Sequence, residues 1–406
     1  MRALFAGVTG IRSHQVRMDV IGNNIANVNT VGFKGSRVTF QDVFSQTMSS
    51  GSASTTPQQV GLGVGIASTD LNTGAGSFQL TGRELDLAIE GNGMFILKGG
   101  DGQRIYTRVG NFDWDSEGFL VNPGTGSRVQ GWMADSSGEV ASTSAVDLSD
   151  IKLIKGDVAL PQPSANVTMG GNLDAGTADA GTYQTTFTAY DSLGNPQSIV
   201  VTFTKTSANA WSWEATGPVD ANVSGTGNLS FNTDGTVSTV PPTGTINMSP
   251  PGAESNQAIE LDFTKVTQAY AGSAGSSVLV RKVDGYPMGV LESVTVDASG
   301  QITGVFSNGS RRVMAQVGMA SFTNPAGLQK IGNSAFAESS SSGAPLMGTP
   351  NTGGRGRLVP GNLEMSNVDL SAEFTNMIVT QRGFQANTRV ITASDEMLQD
   401  VVNLRR

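Results

Sequence analysis

Apolar side chains return at every seventh residue at both extreme ends of this chain, and that repeat restricts its folding more than any other feature. Leu4, Ile11, Met18 and Ile25 hold the interval at the start, and Leu370, Met377, Phe384, Ile391 and Leu398 hold it at the end. Residues spaced this way share one face of a helix with coiled-coil character. Val8, Ile21 and Val28 widen the first stripe, as Phe374, Ile378, Met397, Val401 and Val402 widen the second. Asn367 or Ser371 is placed to cap the second helix, and Glu373 falls in its first turn, where a negative charge suits the helix dipole.

The middle reads differently. From about residue 76 to 345, short runs rich in Val, Ile, Thr, Phe and Tyr, such as Tyr183 to Tyr190 and Ile199 to Thr204, have the composition of strands. Turns of Asp or Asn with Gly three residues on separate them: Asp115 with Gly118, Asp135 with Gly138, Asp191 with Gly194, Asn232 with Gly235 and Asp297 with Gly300. The Asp or Asn side chain opens such a turn, and Gly closes it by taking angles other residues avoid. Hairpins follow, as in sandwiches or barrels. Linkers are expected at Ser49 to Gln58 and Ser339 to Gly356, with a weaker boundary near Leu160 to Pro163.

The expected fold class is therefore mainly β with terminal α-helices, its β-domains nested and discontinuous and its two ends forming a coiled-coil-like helical assembly domain. The boundaries read as 1–33 with 365–406 for the helical domain and 34–75 with 356–364 for a connector. Residues 76–145 with 285–355 form an inner β-domain, and 146–284 an inserted outer one.

Catalytic constellations fail on inventory. Among 406 residues there is no Cys and only one His, His14, which removes disulfides, thiolate chemistry, His-dependent triads and multi-histidine metal sites together. Asp113 to Gly118 resembles the start of a calcium loop, but Gly124 stands where the closing Glu belongs, so a plain turn is expected. Gly61-Leu-Gly-Val-Gly65 lacks phosphate-loop spacing and reads as a flexible or tightly packed connector. Glu84, Asp86 and Glu90 alternate with Leu85, Leu87 and Ile89, as on a half-exposed strand, and nothing singles out a glycosidase pair. No catalytic, cofactor-binding or metal-binding residue is assigned.

A net charge of −9 without a basic cluster argues against a nucleic-acid partner. No run approaches the roughly 18 apolar residues of a membrane helix, so insertion is not expected. The opening Met1 to Val8 does not read as a secretory leader. Two amphipathic helices ordinarily pack on a globular core. Here they sit at the extreme ends, both keep the heptad, and Ser/Gly-rich stretches separate them from the β-region. A lone pair leaves apolar surface without partners, and association with other copies covers it.

Three stretches also resemble a known family. Ile25 to Lys34, preceded by Gly22-Asn23-Asn24, is similar to the Asn-rich signature of flagellar axial proteins, with Asn24, Asn27, Thr30, Gly32, Phe33 and Lys34 as its motif residues. Leu85 to Leu97, Tyr106 to Phe112 and Val129 to Trp132 resemble the core domain shared by rod and hook proteins, with Met94 where an aromatic is frequent. Ser366 to Phe374 and Gln381 to Asn387 resemble the family's closing segment. Within the family, Tyr190 to Pro196 leading into Ile199 to Phe203 resembles the β-domain inserted in hook members, which distal rod members are expected to lack.

The resemblance implies a subunit of a short curved tube, the universal joint between the flagellar motor and its filament. It implies a homo-polymer that meets rod, hook cap and hook-filament junction proteins and leaves the cell unfolded through the flagellar export apparatus. Leu4, Val8, Ile11, Met18, Ile21, Ile25, Leu370, Phe374, Met377, Phe384, Ile391 and Leu398 are then the expected assembly interface. A distal rod protein is the alternative within the family, and a secreted carbohydrate-active or carbohydrate-binding β-protein the alternative outside it.

Overall fold

The computed structural model describes residues 2–49, 58–135, 137–140, 142–144, 146–154 and 156–403. Helix α1 spans Arg2–Ala26 and helix α2 spans Leu370–Asn403. The cap of α2 is neither expected residue but Asp369, whose Oδ1 accepts the amides of Ser371 at 2.8 Å and Ala372 at 3.2 Å. Asn367 is engaged elsewhere, accepting the Gly35 amide and donating to the Asn72 and Gly74 carbonyls, each at 2.9 Å.

Between the helices the outgoing and returning chain pair with each other. Phe78–Leu80 runs antiparallel to Asn362–Glu364, and Leu87–Glu90 to Arg357–Pro360. Ser36–Asp42 pairs with Val64–Leu71, and Ser45–Ser49 with Gln58–Gly61; the rest of the expected linker, 50–57, lies outside the described residues. Gly61 to Gly65 links these pairs, with Gly61 and Leu62 exposed and the Val64 amide donating to Thr9 Oγ1 of α1.

The chain divides into two compact units, one of Met1–Ile154, Val294–Gly304 and Arg312–Arg406, the other of Lys155–Ser293 and Val305–Arg311. Both boundaries differ from the expected 146–284. Ile151 and Leu153 are buried in the first unit, their amides donating to the Val129 and Gly118 carbonyls. Residues after 284 remain in the second, where Val158–Ala159 pairs with Val290 and Gly289.

The first unit carries an antiparallel ladder through Arg128–Met133, Met94–Lys98, Arg104–Thr107, Ala335–Ala337 and Gln329–Gly332. Phe95 packs edge-on to Phe112 and Tyr106 edge-on to Phe322, and burial pushes the Tyr106 phenol up to about 12. The alternation expected around Glu84 to Glu90 does not hold, because the strand is covered on both faces: Asp86 is buried with Leu87, Ala88 and Ile89. The expected linker at 339–356 is ordered too, with Ser339 and Ser342 bonding each other and Leu346–Gly348 pairing with Met319–Ser321.

The second unit is a sandwich of two four-stranded sheets. Thr182–Tyr190, Pro196–Ser207, Ala210–Thr216 and Gly225–Ser230 form one, with Ile199, Val201 and Phe203 facing inward along Pro196–Ser207. Phe203 and Trp213 meet Phe263 of the opposite sheet, ring centres 6.2 and 5.7 Å apart. All five Asp/Asn-x-x-Gly turns form, each closed by a backbone hydrogen bond from Gly to the opening residue.

Candidate assembly site

Helices α1 and α2 pack along a seam of small and polar residues. On α1 the buried positions are Gly7, Gly10, Ser13, Ile21 and Asn24; on α2 they are Thr380 and Ser394. A β-carbon at Gly10 would stand 2.7 Å from the Asn387 side chain, and one at Gly383 2.6 Å from His14, so the helices approach to the limit glycine allows. Thr380 and Ser394 satisfy their buried hydroxyls on the carbonyls of Asn376 and Val390, each at 2.7 Å. The helix pair thus closes mainly through small and polar residues.

Those large side chains are the heptad residues. Ile21 alone is buried, and Ile391 contacts Gly7 in the seam. Leu4, Ile11, Met18, Ile25, Met377 and Ile391 are half-buried, whereas Val8, Leu370, Phe374, Phe384 and Leu398 are exposed. Beside them Phe5, Ile378, Val379, Met397, Val401 and Val402 are exposed as well, Ile378 by 58% and Met397 by 61%. Sequence reasoning missed the seam because it weighs large apolar residues, and glycine registers only when its spacing is read on its own.

The six motif residues form the junction at the base of the helices. Asn24 is buried, its Oδ1 accepting the Ser36 amide at 3.0 Å and its Nδ2 donating to the Ser36 carbonyl and to Glu373 Oε1 on α2. Asn27 donates to Asn23, and Thr30 to Asn27. Gly32 takes a φ of +65° and gives its amide to the Glu364 carbonyl at 2.7 Å. The Lys330 ammonium stands 5.1 Å above the Phe33 ring.

Lys34 lies at the centre. Its Nζ donates to Glu364 Oε1 at 2.6 Å and to the Gly74 carbonyl at 2.8 Å, and Glu364 Oε2 accepts from Arg108 Nη1 at 3.0 Å. The Gly76 amide completes the carboxylate's shell at 3.0 Å. All three charged residues are buried, and burial lowers the Lys34 ammonium from the ordinary lysine value despite the opposing pull of Glu364. Sequence reasoning singled out Lys34 but missed Arg108 and Glu364, which carry no local signal.

His14 packs edge-on to Phe40 with ring centres 5.6 Å apart, and desolvation, then the Arg17 charge, lower its pKa. No cluster of three metal-ligating side chains occurs among the described residues, and no described helix is long and apolar enough to cross a membrane. Asp115 caps an ordinary turn through the Glu117 and Phe119 amides.

The chain is 40% identical to the flagellar hook protein FlgE of Borreliella burgdorferi, over the whole of both chains. It belongs to the flagellar hook protein family. Four family descriptions match in order: flagella basal body rod protein at 5–34, flagellar hook protein FlgE/F/G D1 domain at 88–172, flagellar basal body protein FlaE D2 domain at 159–286, and flagellar basal body rod FlgEFG protein C-terminal at 359–404. The Lys34–Glu364 pair therefore joins the first matched segment of this hook-family chain to the last. Crystallised flagellar hook protein FlgE2 of Helicobacter pylori shares the fold, with a TM-score of 0.53 and 15% identity over 71% of this chain and all of that one. The flagellar basal-body rod protein FlgG of Bacillus subtilis is 32% identical over the whole of both chains. Chain length and the second unit therefore do not by themselves separate hook from rod names.

Proposed function

We propose that this chain is the non-enzymatic structural subunit of a flagellar hook, polymerising into a curved, flexible tube that transmits motor torque to the filament. The observation that carries the reading is the helix pair, closed by small residues yet apolar on its outside. Such a surface is stabilised by burial at about 25 cal/mol per Å² of apolar area, and further copies of the same pair supply the cover. The heptad residues named above are the proposed interface. The subunit meets rod, hook cap and hook-filament junction proteins at the ends of the tube, and it reaches the growing tip unfolded through the flagellar export apparatus.

A rod role is the second reading, favoured by the full-length similarity to the rod protein. The two are separated by placing an epitope at Val219, which is 95% exposed, and labelling flagella from a strain whose only copy is tagged. Gold particles on the curved segment between rod and filament support the hook. Label confined to the straight shaft supports the rod, and label absent from flagella contradicts both.

A further inference from the structure

Beside the buried ion pair lies a cavity of about 350 Å³ lined by Lys34 and Arg108, with Thr73, Asn92 and Thr323 among its polar residues. Its cations are 3% and 5% exposed, and the one carboxylate bonded to both is that of Glu364, so the buried group carries an excess positive charge. Arg108 bonds Ile89 and Glu364 through Nη1 and Gly91 through Nη2, while its buried Nε has no partner among the described residues. The side chains of Thr73, Asn92 and Thr323 are exposed and make no hydrogen bond within the described protein. A cationic wall and unengaged hydroxyl and amide donors are groups that suit an oxyanion. An isolated buried charge is costly, and a bound anion relieves it.

We propose that this cavity binds an oxyanion, either free in solution or presented as a carboxylate by an adjacent copy of the chain. The anion sits against the charge of Lys34 and Arg108 and is bonded to the Thr73, Asn92 and Thr323 side chains. A filled site also favours the charged form of Lys34, whose ammonium burial disfavours.

The test for a free anion compares unfolding of the purified full-length chain in sodium phosphate and in sodium chloride at matched ionic strength. Phosphate is expected to raise the midpoint by about 2–4 °C. The Thr73→Val/Asn92→Leu/Thr323→Val variant should lose that rise while keeping the midpoint in chloride. Thr73→Val alone, at an exposed position, gives the same comparison should the triple variant fold poorly. An equal rise in the variants marks a general salt effect and overturns the site. For the second source, a reconstruction of the assembled tube should place an Asp or Glu oxygen of a neighbouring copy in the cavity, within about 3 Å of a side-chain donor of Thr73, Asn92 or Thr323. No phosphate response together with an empty cavity in the tube overturns the proposal. The monomer measurement is independent of polymerisation, so its failure is distinguishable from failure of the hook reading.

Discussion

Lys34 and Glu364, 330 positions apart, form a buried ion pair 2.6 Å long at the point where the chain leaves one terminal helix and returns toward the other. Arg108, from the β-structure of the same unit, shares the carboxylate. The helices are thereby fastened to the β-structure at their base.

Removing one partner leaves two cations buried without their anion. Glu364→Ala should therefore destabilise the first unit by about 3–5 kcal/mol. Glu364→Gln, which keeps the shape and one acceptor, should cost less. Denaturant unfolding of both variants checks the order; equal, negligible losses would mean that the network contributes nothing net.

The seam admits no side chain at Gly10. Gly10→Val should separate α1 from α2 and lower stability of the helix pair by about 1–3 kcal/mol, the range for overpacking. Melting of the helical circular dichroism signal reads this directly. An exposed helix substitution such as Gly22→Ala, with nothing within 4 Å of the added carbon, is the control and should be neutral or stabilising.

Acid should loosen the same seam through His14. Its pKa is lowered in the folded chain, so the unfolded chain binds the proton first as pH falls. The stability held by neutral His14 is intact above the ordinary histidine value of 6.5 and is lost as pH drops from there through the lowered folded value. Arg17 on α1 is the charge that repels the protonated ring. Titration of helix stability between neutral and mildly acid pH should show this loss, and His14→Gln should flatten it.

The two helices, the strand-rich middle and all five turns were legible in the sequence, because periodicity and turn chemistry are local. The junction was not. Glu364 is an unremarkable residue in a short strand, and only the fold brings it to Lys34. Asp86 was misread for a related reason: its alternating neighbours resemble a half-exposed strand, but a second layer covers the outer face. At the helices the stripe was read correctly as apolar and helical. Its role differs from a simple two-helix seam, since Gly7, Gly10 and Gly383 make the intramolecular contact and leave Phe374 and Ile378 outside. Asp369 displaced both expected caps because Asn367 is drawn into the connector.

The central claim is that the outward apolar face of the helix pair assembles the tube. Phe374→Asp, at a side chain 51% exposed, tests it most directly by electron microscopy of hooks alongside thermal unfolding of the purified chain. The account predicts that hooks are absent while the unfolding midpoint stays within about 1 °C of the parent, as for other exposed positions. Normal hooks from the variant would contradict it, as would a midpoint lowered by many degrees, which would place Phe374 in the fold of the monomer instead.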